Sequence, residues 1–256
     1  MADCRTAMKT HRAFTLLELL VVITIIAVLS TLSIPLVAHL RLSRDQVSAM
    51  SNMKQLGSGL LSYIAMNNGE FPAEGENQPT WQSGSDPEHQ DAWYNAIPRL
   101  CGGFSLGEFD KQRSSFYKRS NPLYVPAAEY PKDQTERPYF ALSLNSKLRR
   151  KGQKVLVFSA IENPSRTVFL QESGLPGERP LPGQSAGKYD GQTKSYASRT
   201  IARYNGRVLM LLADGHADSV DAKYVVNRDG LAYFPQVSPT GGNVFWTTDP
   251  DADPND

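Results

Sequence analysis

The chain has 256 residues, a formal net charge of +1 and a polar mean hydropathy of −0.39. That length suits one ordinary domain with an added module or tail, and the polar average excludes a multi-span membrane protein. The near-zero charge and the lack of a basic stripe interleaved with aromatics give no support for nucleic-acid binding.

The chain opens with MADCRTAMKTHRA, where Arg5, Lys9 and Arg12 outnumber the single acid, Asp3. An apolar run of Leu, Val, Ile and Ala follows to Val37, broken by Thr24, Ser30, Thr31, Ser33 and Pro35. A membrane span needs about 20 mostly apolar residues, and a basic flank stays in the cytoplasm, which sends the C-terminal bulk outward. A cleaved secretory signal fits poorly, because no small-x-small site follows the run around Leu36-Val37-Ala38. A plain uncleaved anchor leaves Glu18 unexplained, since a carboxylate deep in a bilayer costs roughly 2.5–3.5 kcal/mol.

Ala13-Phe14-Thr15-Leu16-Leu17-Glu18 resembles the type IV prepilin signal, with Ala13 where the family usually has Gly. The resemblance implies that a membrane peptidase cuts between Ala13 and Phe14 and methylates the new amine. It also implies that Glu18 is an assembly residue, meeting the terminal amine of a neighbouring subunit and fixing axial register. Pairing with a buried opposite charge relieves much of the cost of the carboxylate. Pro35 stands where many pilins carry a proline. Processing removes Cys4, which leaves Cys101 without an intrachain partner, read as a small buried residue near a turn.

The helical pattern continues past Pro35, where a kink or local loosening is expected. Val47, Met50, Met53, Leu56, Leu60 and Ile64 recur at spacings of three and four, one stripe of an amphipathic helix. Asn67-Asn68-Gly69 is its stop signal, and a helix from Phe14 to Met66 would be on the order of 80 Å long. Gly57 and Gly59 suggest close approach of the sheet. This layout, and the words NMKQLGSGLLSYIAMNNGEFP, resemble the pilin and pseudopilin spine.

Residues 73–138 read as irregular and polar, with a short helix around Asp91–Leu100. Trp81, Trp93 and Tyr94 mark the segment as packed in part and not a free linker, and long insertions of this kind often carry member-specific binding. Lys147–Lys154, KLRRKGQK, reads as a solvated basic stretch. KVLVFSAI (154–161) and TVFLQES (167–173) read as strands, and RVLMLLADGHADSV as a hairpin turning at Asp214-Gly215. YVVN and Phe245-Trp246 suggest edge strands.

Tyr204, nine intervening residues and Asp214-Gly215-His216 resemble the C-terminal motif of a prepilin-type group that has His at the first position. NPSRTVFLQES looks like the same group. Tyr204 in place of His argues against a required imidazole and for a structural motif.

Few residues suggest chemistry. Gly183-Gln184-Ser185-Ala186-Gly187 matches the G-x-S-x-G nucleophile elbow, but Pro180-Leu181-Pro182 precedes it where a strand is needed. Asp214, His216 and Asp218 would share one face of a strand. Asp249, Asp251 and Asp253 alternate in DPDADPND like the opening of a calcium loop, without its turn glycine or closing glutamate. They are weak calcium candidates in a tail expected to be disordered. No cofactor is expected beyond that.

The expectation is an α+β, pilin-like fold, a long N-terminal helix on a small antiparallel sheet. Its parts are a cleaved leader (1–13), a transmembrane half-helix (14–37), an amphipathic half-helix (38–68), an irregular insertion (69–138), a β-rich domain (139–248) and an acidic tail (249–256). The expected function is a non-enzymatic pseudopilin or minor pilin of a type II secretion or type IV pilus-like fibre, single-pass in the inner membrane with its N-terminus cytoplasmic. Its expected partners are prepilin peptidase/methylase, other pilin-like subunits, the inner-membrane assembly platform and membrane lipid. The alternative is a membrane-tethered recognition module binding a polysaccharide or surface ligand through residues 73–138.

Overall fold

A computed structural model describes residues 15–149, 155–234, 236 and 244–255, without the side chains of 32, 33, 35 and 36. Leader residues 1–13 and Phe14, including Cys4 and Ala13, lie outside the described residues, as do 150–154 of the basic stretch and the side chain of Pro35. The chain divides into two compact units, Met1–Leu42 and Ser43–Asp256.

One helix, α1 (Leu16–Met66), contributes to both units and remains a single element across position 35. In the first unit every described side chain from Leu16 to Thr31 is exposed. Thr24 and Thr31 donate their hydroxyls to the carbonyls of Val21 and Val28, each at 2.8 Å, so these polar groups are satisfied within the helix. Among the described residues no helix is long and apolar enough to cross a membrane. The expected span, 14–37, falls partly outside them.

In the second unit α1 buries Ala49, Met53, Leu56, Leu60 and Ile64. Val47 departs from the expected stripe and is 70% exposed. Six residues at 100° each turn it about 120° away from Met53. The helix ends as its sequence directs. Asn68 and Gly69 take positive φ (52° and 86°), and the Gly69 amide reaches back to the Ile64 carbonyl at 2.9 Å.

Five strands form one sheet in the order β3-β1-β2-β4-β5: β1 (Leu142–Asn145), β2 (Val168–Glu172), β3 (Lys194–Ser195), β4 (Arg207–Leu212) and β5 (Ala217–Asp221). The sheet is mixed rather than purely antiparallel, because β3 pairs in parallel with β1 after a long crossover. β4 lies between β2 and β5 and is buried from Val208 to Leu212, which explains its apolar run. Val208, Met210 and Leu212 join Val168, Val225, Val226 and Trp246 in one core, while Leu211 faces α1.

The β4–β5 hairpin turns at Asp214-Gly215 as expected, with Gly215 at φ 85°. Gly57 of α1 lies against this turn: a Cβ there would fall 2.0 Å from the Gly215 carbonyl oxygen. Gly59 instead faces helix α2 (Trp93–Leu100), where a Cβ would fall 2.7 Å from the Ile97 carbonyl oxygen. Gly57→Ala should therefore cost about 1–3 kcal/mol by forcing the hairpin off the helix, measurable as a lowered denaturation midpoint.

Three expected strands are absent as strands. Within 154–161, Lys154 is outside the described residues, Val157 makes one bridge to Glu70 and Phe158–Ala160 is a 3-10 turn. That segment docks on the exit of α1, through Phe71 N–H to the Leu156 carbonyl and Phe158 N–H to the Gly69 carbonyl. Around YVVN, Ala222–Tyr224 is a 3-10 turn and Val226 makes a single bridge to Ala232; Phe245 makes one to Thr167.

Residues 73–138 hold the expected short helix, α2, and several 3-10 turns. Several of their aromatics face inward, as a segment packed in part requires, while Phe104 is exposed. Trp81, Trp93 and Tyr94 are buried. Phe116 contacts Trp81, Phe109 and Phe140 edge-on at 5.6, 5.3 and 5.4 Å between ring centroids. The Trp93 indole donates to the Thr193 carbonyl at 3.0 Å, beside β3. A segment with few backbone ladders is held by aromatic burial instead.

The acidic tail is also ordered through 255. The Asn255 amide group donates to the Ala232 carbonyl and its Oδ1 accepts from the Ala232 amide, both at 3.1 Å.

Candidate functional site

Thr15 is the residue before α1, and Glu18 is the third residue inside it. The Glu18 amide donates to Thr15 Oγ1 at 3.2 Å, and Thr15 N–H donates back to Glu18 Oε2 at 2.9 Å. The Thr15 hydroxyl also donates to Oε2, at 2.9 Å. This is a capping box. It satisfies two amides that the first turn leaves unpaired, and it sets a negative group at the positive end of the helix dipole. Sequence reasoning singled out Glu18 for assembly and missed this local role, although Thr15-x-x-Glu18 ahead of an apolar run is its signature.

The C-terminal motif positions do different jobs. Tyr204 is buried and donates its hydroxyl to Glu172 Oε1 at 3.2 Å. Asp214 and His216 lie in the hairpin turn at the other end of β4, where Asp214 Oδ1 meets His216 Nδ1 at 2.7 Å and accepts the His216 amide at 3.2 Å. Six strand residues separate the two ends by about 20 Å, so the motif is not one site. Asp218 accepts the neighbouring Ser219 amide and does not join the pair.

Residues 8–34 match the family model described as the prokaryotic N-terminal methylation motif. The N-terminal segment of the chain is prepilin-like. No curated protein and no solved structure matches the chain. The matched segment includes Ala13, Phe14 and the whole Thr15–Glu18 capping box; Tyr204 and Asp214-Gly215-His216 lie outside it.

Elsewhere in the chain, sequence reasoning missed a buried ionic group. Arg203 grips Glu178 with two hydrogen bonds, Nε to Oε1 at 2.9 Å and Nη2 to Oε2 at 2.6 Å. Its Nη1 lies 3.8 Å from Glu172 Oε2. All three side chains are buried. The available signal was a glutamate closing the apolar strand VFLQE.

The remaining candidates are structural in their contacts. Cys101 is a free thiol, half-buried, that donates to the carbonyls of Gln55 and Ile97 at 3.0 and 3.2 Å. Burial pushes its thiol above the ordinary range. Ser185 precedes a three-residue 3-10 turn, Ala186–Lys188, with neither the strand nor the helix of a nucleophile elbow. In the tail, Asp249 and Asp253 accept the amides of Asp251 and Asn255 at 2.9 and 2.8 Å, as turn-forming carboxylates do. Among the described residues no group of three or more His, Cys, Asp or Glu side chains could hold a metal ion.

Proposed function

We propose that this chain is a non-catalytic structural subunit, a pseudopilin or minor pilin, of a type II secretion or type IV pilus-like fibre. The observation that carries the reading is the methylation-motif match at 8–34 together with Glu18 at the opening of α1. In this reading the peptidase cuts between Ala13 and Phe14, the apolar first half of α1 anchors the chain in the inner membrane, and the second unit faces outward. Assembly platform and lipid are the partners on the membrane side, and other pilin-like subunits the partners along the fibre.

The capping box refines how Glu18 acts. In the isolated subunit its carboxylate is already engaged with Thr15, which lowers the cost of holding it at the membrane edge. Docking of a neighbour then offers Oε1, which accepts no hydrogen bond among the described residues, to the cationic amine of a processed Phe14. The carboxylate caps its own helix and pairs with the next.

The test uses full-length protein recovered from the membranes of a native or closely related host. Intact mass should give a chain beginning at Phe14 with one added methyl group, for both wild type and Glu18→Ala. Crosslinked multimers should fall at least about tenfold in Glu18→Ala, the effect of losing one partner of a desolvated charge pair. A chain that begins at Met1, or full assembly by Glu18→Ala, refutes the reading.

A further inference from the structure

The buried group formed by Glu172, Arg203, Glu178 and Tyr204 has two carboxylates for one guanidinium. The two carboxylates are not equivalent. Glu178 accepts four hydrogen bonds: two from Arg203, one from the Leu175 amide at 2.7 Å and one from the Glu129 amide at 3.0 Å. Glu172 accepts one, from the Tyr204 hydroxyl, and its Oε2 accepts none among the described residues. An ionised carboxylate is well solvated by the first arrangement and poorly by the second.

The group also joins separate parts of the fold. Glu172 closes β2, Arg203 and Tyr204 precede β4, and Glu178 lies in the loop after β2. Glu129, whose amide Glu178 holds, belongs to the 73–138 segment. Arg203 also donates to the Ser173 carbonyl at 2.9 Å.

We propose that Glu172 is a proton switch for this seam. Protonated, it leaves Arg203 to Glu178 and the 73–138 segment stays fastened to the sheet. Ionised, it competes for the same guanidinium through its Oε2 and weakens the fastening.

Other charges face the group. Tyr130 and Tyr189 border Arg203, and the Asp45 carboxylate of α1 acts on Tyr204 in the same direction as Glu172. Burial pushes the Glu172 carboxyl up to about 7, while Arg203 opposes the rise. The folded value stands above the unfolded value of 4.5, so the native state binds the extra proton between them. Stability is therefore highest at the acid end of that window and falls as pH rises through neutrality.

The experiment is thermal unfolding of the full chain in detergent micelles from pH 5.5 to pH 8.5, for wild type and Glu172→Gln, with infrared spectra of both. Wild type should lose several degrees across this range; Glu172→Gln should melt near the wild-type acid value throughout. A wild-type profile that is flat or rises with pH, with Glu172→Gln melting far below it everywhere, would show an ionised Glu172 and overturn the proposal. If Glu172→Gln does not fold, the wild-type spectrum still decides. A protonated-carboxyl C=O band present at pH 5.5 and titrating away above neutrality supports the switch, and its absence at pH 5.5 sinks it.

Discussion

Arg203→Ala should destabilise the second unit by about 3–5 kcal/mol, the cost of leaving a buried carboxylate without its partner. The loss comes mainly from Glu178, which keeps two backbone donors but loses two charge-assisted bonds in a site closed to water. Arg203→Lys should recover only a fraction, since an ammonium cannot span both oxygens of Glu178 and the Ser173 carbonyl at once. Urea denaturation in micelles measures the effect. An Arg203→Ala variant within 1 kcal/mol of wild type would mean that the group contributes little to holding the unit together.

Trp93→Ala should cost a similar amount, about 3–5 kcal/mol. The side chain is 0% exposed, stacks edge-on with Tyr94 and Phe140, and spends its indole N–H on the Thr193 carbonyl next to β3. The same measurement separates two views of residues 73–138. A binding platform would lose ligand and keep its stability on losing Trp93. A core residue loses stability first, and the burial of Trp81 and Tyr94 beside it points the same way.

What the sequence made legible follows from how local each signal is. The α1 stripe from Met53 to Ile64, the Asn68-Gly69 stop and the Asp214-Gly215 turn depend on residues within a few positions of one another, and all three appear as read. Val47 shows the limit of a spacing rule: its threes accumulate until the residue has rotated out of the stripe. β1 was not legible, because Leu142-Ser143-Leu144-Asn145 buries two polar side chains whose partners are remote. Asn145 donates to the carbonyls of Val168 and Trp246 at 2.9 and 2.8 Å, and Ser143 meets Ser195 of β3. Segment 154–161 has the composition of a strand, but its neighbour is the end of α1 and not the sheet. The tryptophans showed that 73–138 is packed in part, but a polar, turn-rich neighbourhood says nothing about which partners an indole meets. At the candidate site, Glu18 was visible as an anomaly in an apolar run, whereas the Arg203 group needed two separate stretches, 172–178 and 203–204, to come together.

The order in which these stretches are made has a consequence for when the second unit can fold. Trp246 completes the core around Val168 and Met210, its carbonyl accepts from Asn145, and Asn255 fastens the final turns to Ala232. A growing polypeptide therefore has α1 complete long before the sheet and its core can close. The strands remain short of their last partner until residues 244–255 have emerged.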